Sequence, residues 1–279
     1  IHDMGIGIAS AGDLLNSIYG NEIYSNGIGI EGGARIGGDD WAEPNVIYDN
    51  AIVGIRAGQD SEIRYNRILN NTIGIEAAPH NHIHHNVIAR STDHAVFVEM
   101  GIDVEIGFNT IYSPNGNGVT LIDNTAGTSL HHNIIWTQNG YAVSVDLTSQ
   151  SGFESDHNNL FRSGSGELVQ WQKSYSDLYN WQVETGFDQH SIGWTAPHPN
   201  RDNPNFIDVA ADNFRLMDQA STSIDAGDLA LGVGLEPAEH GGRANLGAYG
   251  LTAQAANSTT TRLRMAYPEF HVDWKVDEG

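Results

Sequence analysis

Two hydrophobic patterns recur through the first 160 residues of the chain. One is strict alternation, as in Gly5-Ile6-Gly7-Ile8, Gly27-Ile28-Gly29-Ile30, Ile52-Val53-Gly54-Ile55, Ile73-Gly74-Ile75, Val96-Phe97-Val98, Val119-Thr120-Leu121 and Val143-Ser144-Val145. Period two with β-branched residues predicts short strands. The other is Asn-x-Ile or Asn-x-Leu with an apolar residue three positions earlier: Ile18 before Asn21, Ile47 before Asn50, Ile63 before Asn66, Ile83 before Asn86, Ile106 before Asn109, and Leu130 before Asn133. A seventh copy, Asn158-Asn159-Leu160, lacks the preceding apolar residue. Successive Asn positions differ by 29, 16, 20, 23, 24 and 25. Each repeat thus predicts three strands: the alternating one, one ending before the Asn, and one after it.

Three strands per repeat, no helical segment and a recurring turn Asn predict a solenoid whose turns lie about 4.8 Å apart. Equivalent positions then stack, placing Ile23, Ile52, Ile68, Ile88, Ile111 and Ile135 in one inward column and the Asn residues in a hydrogen-bonded ladder. The series Gly74-Ile75, Asn81, Ile83, Asn86, Ile88 resembles the recurrent pattern of the right-handed parallel β-helix superfamily, which contains pectate lyases and many bacterial surface proteins. The resemblance covers residues 1–160 and is specific for fold rather than activity. It implies an all-β protein, a right-handed parallel β-helix solenoid with one short helix and a C-terminal closing region. It also implies a monomeric module of a longer, multidomain, extracellular or cell-surface protein of bacterial or archaeal type.

The repeat stops at Phe161. Residues 161–200 form an aromatic-rich insertion with Trp171, Tyr175, Tyr179, Trp181 and Trp194. Within it Ser176 reads as the helix N-cap, Asp177 as a favourable charge at its positive end and Gly186 as its stop. Leu178 and Trp181 fall on one face, which predicts packing on the solenoid side; the sharper alternative makes the Trp cluster a sugar platform. Residues 201–252, with Asn205-Phe206-Ile207-Asp208 and Asn245-Leu246-Gly247-Ala248-Tyr249, resemble the closing segment of secreted β-helix domains and are expected to complete the last turns and cover the open end. Residues 253–279 read as a linker and the start of a following β domain, since Phe270 to Val276 alternates like a strand. The chain begins at Ile1, not Met, as a piece of a longer protein would.

Composition narrows the partners. With 35 acidic and 13 basic side chains the net charge is −22, which excludes a nucleic-acid binder and disfavours an anionic membrane surface. No apolar run reaches the roughly 20 residues of a membrane span. Cysteine is absent, removing disulfides and thiolate chemistry. The basic residues of the repeat region are all Arg, and both lysines, Lys173 and Lys275, lie outside it. Such lysine-poor acidity also suits a protein working in high salt.

The candidate chemistry follows from stacking. Outward positions of the alternating strands give the column Ala9, Glu31, Arg56, Glu76, Glu99, Ile122 and Asp146, beside Gly7, Gly29, Gly54, Gly74, Phe97, Thr120 and Ser144. This predicts a shallow trough with a charged wall, on the face where the superfamily places its substrate groove. Glu76 and Glu99, expected on adjacent turns about 4.8 Å apart, would be an acid and base pair of retaining-glycosidase geometry, or would hold an optional Ca²⁺. The bland alternative is a solvated acidic face. Arg56 is the only basic residue of the column, and Asp93-His94 leads into the Glu99 strand as a catalytic accessory. Glu31, Asp93, Phe97 and Asp146 are expected to line the substrate path. Trp41, on an insertion taken to explain the 29-residue spacing, would overhang the trough and stack on sugar or else pin its own loop. The expected activity is polysaccharide binding with hydrolysis, elimination ranking lower because a polyanion would meet a negative face. The rival reading is a non-catalytic spacer or adhesin. His85, His132 and His157 occupy matching turn positions interrupted by Phe108, which favours stacked rings over a metal-binding ladder.

Overall fold

The computed structural model describes residues 1–11, 17–33 and 35–258. The expected strand from Phe270 to Val276 and residues 259–261 of the expected linker lie outside the described residues. Within them every repeat closes one turn of a parallel solenoid, about seven turns in all. The solenoid strands form three sheets of nine, seven and eight members, and Phe206–Asp208 and Asn213–Leu216 pair apart from them as a two-stranded antiparallel sheet. The broad sheet contains Ile28–Gly33, Val53–Ala57, Ile73–Ala77, His94–Glu99, Asn117–Ile122 and Tyr141–Val145. A second sheet contains Glu62–Arg64, His82–His84, Glu105–Gly107, Ser129–His131 and Glu154–Asp156. The third contains Glu22–Tyr24, Val46–Tyr48, Arg67–Leu69, Val87–Ala89, Thr110–Ser113, Ile134–Thr137 and Asn159–Arg162.

The inward columns are aliphatic, and that of the third sheet is isoleucine over six turns. Ile23, Ile47, Ile68, Ile88, Ile111 and Ile135 pair in register on the third sheet, and each is fully buried. Ile47 therefore takes the place expected for Ile52, which is 50% exposed. The same slip affects the Asn ladder. Its members are Asn21, Asn45, Asn66, Asn86, Asn109, Asn133 and Asn158, with Asn45 where Asn50 was expected. Their separations are 24, 21, 20, 23, 24 and 25 residues, so no 29-residue turn exists. Asn50 belongs to a second ladder, Asn26 to Asn50 to Asn71, at another corner of the solenoid.

Each ladder amide does several jobs at once. Asn109 Nδ2 donates to Ile83 O at 2.7 Å, Gly107 O at 3.1 Å and Asn133 Oδ1 at 3.1 Å, while its Oδ1 accepts from the backbone N and Nδ2 of Asn86. The residue before five of the seven ladder Asn, those at 66, 86, 109, 133 and 158, has φ near +55°, from Tyr65 at 51° to His132 at 57°. That left-handed step makes the corner, and histidine tolerates it better than β-branched residues do. Because the step repeats, the rings of Tyr65, His85, Phe108, His132 and His157 stack, and His190 of the closing region adds a sixth, at centroid spacings of 4.6 to 5.2 Å.

The end of the solenoid is closed by residues 161–200. Glu167–Gln170 pairs with the last full strand of the broad sheet, and Ser174–Tyr175 turns back on it antiparallel. The helix Leu178–Thr185, capped by Asp177 and Gly186, sends Leu178 and Trp181 into the core cluster with Leu160, Leu168 and Tyr175. Trp181 is 1% exposed and donates to Asp188, so it plugs the core and is no sugar platform. Residues 201–258 do not add turns. They run back along the outer face of the third sheet, where Phe206, Phe214, Leu216, Ile224 and Leu246 cover Leu69, Val87, Ala89 and Ile134.

Replacing Asn109 by Ala leaves two carbonyls and the Asn86 amide without partners in a dry interior, each worth about 1–3 kcal/mol. Urea denaturation is expected to show a loss of about 3 kcal/mol or more, against less than about 0.5 for Asn200→Ala on an exposed turn. Equal midpoints for the two variants would contradict a structural ladder.

Candidate functional site

Among the described residues, the C-terminal segment covers the third sheet and leaves the outer face of the broad sheet clear. Ladder register decides which side chains meet there. Glu31 pairs with Arg56, Arg56 with Glu76, Glu76 with Phe97, and Phe97 with Thr120. Glu99 instead pairs with Ile122, two residues farther along the strand. Its α-carbon therefore starts about 8 Å from that of Glu76, by about 4.8 Å across and two residues along. The expected adjacent carboxylate pair is corrected to a diagonal one, and Glu99 and Asp146 leave the Glu31 column.

The glycine column moves as well. A Cβ placed on Gly29 would lie 2.5 Å from Gly54 O and 3.0 Å from Ile47 Cγ2, inside the core. Ala95 and Ala142, at equivalent places, are fully buried in that core. Gly29 and Ile30 thus both face inward across a bend, and the expected trough floor of glycines is interior. The register neighbours of the charged row are Ile28, Val53, Ile73, His94 and Asn117.

The corrected face has two halves. In one, Arg56 Nε donates to both Glu76 oxygens at 3.0 and 3.1 Å, and Arg56 Nη1 reaches Glu31 at 3.3 Å. Both Glu76 oxygens are thereby held by a guanidinium. That donor set does not fit Ca²⁺, because the cation's place beside the carboxylate is taken by Arg56. In the other half, His94 stacks on Phe97 at 4.9 Å and 20°. His94 Nδ1 meets Thr120 Oγ1 at 3.0 Å, Asn117 Nδ2 donates to the same hydroxyl at 3.2 Å, and Asp93 lies 3.4 Å from His94 Nε2. Burial lowers the His94 pKa and outweighs the opposing pull of Asp93. Thr120 has the partners of a nucleophile but is only 6% exposed, so the network holds the imidazole in place.

The remaining expected residues sit elsewhere. Trp41 donates from Nε1 to Ala248 O at 3.1 Å and packs on Tyr65 and Tyr249. It pins the returning C-terminal segment and does not overhang the broad face. Asp146 caps a turn, accepting from Asp123 N, Thr148 N and Thr148 Oγ1.

A second polar surface escaped the sequence reading. On the second sheet Glu62, His82 and Glu105 stack in one column, with Arg64 and His84 in the next. His82 Nδ1 lies 2.9 Å from Glu105, His131 Nε2 3.0 Å from Glu105 and His84 Nε2 3.3 Å from Glu62. Hydrogen bonding to His131, helped by His82, pulls Glu105 down to about 2 against the effect of burial. Behind this row the ring stack is kept neutral. The Asp228 amide donates to His132 Nε2, so the His132 proton sits on Nδ1 and faces His131 Nδ1 at 3.1 Å. The signal was present in Glu62-Ile63-Arg64, His82-Ile83-His84 and Glu105-Ile106-Gly107, but it emerges only when those strands are put in register.

Parallel pairing throughout the three sheets, apart from the closing Ser174–Tyr175, and stacked inward columns define a parallel β-helix. In agreement, the family model described as the right handed beta helix region matches residues 1–135. No curated protein and no solved structure matches the chain. No helix among the described residues is long and apolar enough to cross a membrane.

Burial depresses His85 and His132 to about 3, from 6.5. Between those values the unfolded chain binds more protons, so stability is full above pH 6.5 and falls as pH drops toward 3, by up to about 1.4 kcal/mol per pH unit for each ring. Glu236, raised by burial to about 7, acts in the opposite direction. Replacing His132 by Phe, which the stack already accepts at Phe108, should flatten the dependence of the urea midpoint between pH 7 and 4. Superimposable pH profiles for the variant and the parent would refute a buried neutral imidazole.

Proposed function

We propose that the chain is an extracellular polysaccharide-binding β-helix whose site is the outer face of the broad sheet. The observation that carries this reading is the His94–Phe97 stack set between two hydrogen-bonding borders. Arg56 with Glu31 and Glu76 forms one border, and Asn117 and Thr120 the other. A partly exposed aromatic pair beside side-chain amide, hydroxyl and carboxylate groups suits the apolar face and hydroxyl rim of a pyranose ring. A neutral glycan is the favoured ligand, because the net charge of −22 repels polyanions. Binding without cleavage is the better-supported mode. Glu76 has both oxygens on Arg56, which leaves no free acid facing Glu99.

Affinity electrophoresis against neutral and acidic polysaccharides tests the proposal. Phe97→Ala should weaken retention by at least about tenfold, consistent with losing about 1.4 kcal/mol of stacking and burial, while Glu99→Gln should leave it unchanged. No reducing ends or unsaturated products should accumulate. Turnover abolished by Glu76→Gln and Glu99→Gln would replace binding by catalysis, and unchanged retention of Phe97→Ala would remove the site from this face.

A further inference from the structure

A distinct cluster lies where the second sheet runs out, away from the broad face. Asp156 ends the strand Glu154–Asp156, His157 occupies the following left-handed corner with φ 54°, and His190 arrives from the closing region. One donor atom from each lies within 4.8 Å of the other two, the sole such group of three among the described residues. His190 Nδ1 is 2.7 Å from Asp156 Oδ2 and His157 Nδ1 is 3.5 Å from the same oxygen.

We propose that Asp156, His157 and His190 bind one divalent transition-metal ion of borderline softness, with Zn²⁺ as the reference. Two imidazole nitrogens and one carboxylate oxygen suit such an ion better than Ca²⁺ or Mg²⁺, which favour all-oxygen shells. With bonds of about 2.0–2.2 Å, a tetrahedral or octahedral shell separates its ligands by about 3–3.5 Å. The two Asp156 distances bracket that range, and the two imidazole nitrogens, within 4.8 Å of each other, come together when the exposed His190 ring turns toward His157.

The carboxylate is also prepositioned. Asp156 Oδ1 accepts the backbone N–H of His157 at 2.9 Å and of His190 at 2.8 Å, which turns Oδ2 toward both rings. Such outer hydrogen bonds orient a ligand before the ion arrives. The rings are parallel, 4.9 Å apart at 14°, and His132 stacks beneath His157. His190 is 66% exposed and leaves a path for the ion, whereas His157 is 14% exposed and fixed by the stack. Asp228 adds negative potential at His157, and Arg243 opposes it. The ion replaces the Nδ1 protons that otherwise bridge the rings to Asp156. It would tie the closing region to the last turn, joining residues 34 apart in sequence.

Isothermal titration of the 279-residue chain with Zn²⁺ alone, compared with His190→Ala and Asp156→Asn, tests this. The parent should bind one more Zn²⁺ per chain than either variant, or bind its tightest ion at least tenfold more strongly. Co²⁺ in place of Zn²⁺ should give visible d–d absorption in the parent that is absent from His190→Ala. Circular dichroism checks that His190→Ala, altered at an exposed ring, remains folded. Equal stoichiometry and affinity in parent and variants would assign any binding to the other flank histidines and overturn the proposal, as would no binding by the parent.

Discussion

The buried Asn ladder is the constraint on which the rest of this molecule depends. A solenoid has no hairpins to set register between turns, and its aliphatic columns would tolerate slippage by two residues. The side-chain amides do not. Each reaches the turns on either side, and a slipped turn would strand several polar groups in a water-free core. Register is therefore fixed at a corner by polar groups, while the hydrophobic effect supplies the drive to collapse.

The corner also determines what the surface carries. The left-handed residues before five of the ladder Asn place Tyr65, His85, Phe108, His132 and His157 at equivalent corners, so their rings stack at about the turn spacing, with His190 of the closing region added at the end. Against that stack lie Gly250 and Asp228 of the returning segment, which accept from and donate to His85 and His132. Among the described residues the third sheet is thereby covered, and the broad and second sheets stay open. Fold and proposed site are thus linked: the same corner that sets register anchors the segment that covers the third sheet and not the broad face.

Much of this was legible in the sequence. Alternation and the Asn spacing were enough for the solenoid, its three strands per turn and the identity of most core residues. What misled was the presence of two Asn ladders. Asn45 and Asn50 both precede an apolar residue two positions on, and choosing Asn50 shifted one turn and turned Trp41 into an insertion. The broad face failed for another reason. Gly29 and Ile30 both point inward, so strict alternation assigned the wrong parity, and Val98 was matched to Ile75 when Val96 is its partner. That error alone placed Glu99 beside Glu76. Contacts such as Trp41 with Ala248, 207 residues apart, carry no local signal at all.

Register on the broad face is the claim from which the site follows, and the absence of cysteine makes it directly measurable. In the Glu76→Cys, Phe97→Cys double variant the two α-carbons are ladder neighbours, about 5 Å apart and within disulfide reach. In Glu76→Cys, Glu99→Cys they are about 8 Å apart, beyond it. Mild oxidation followed by proteolysis and mass spectrometry should find the intramolecular disulfide in the first variant and free thiols in the second. Ready cross-linking of the 76 and 99 pair, with none between 76 and 97, would contradict the register and the face built on it.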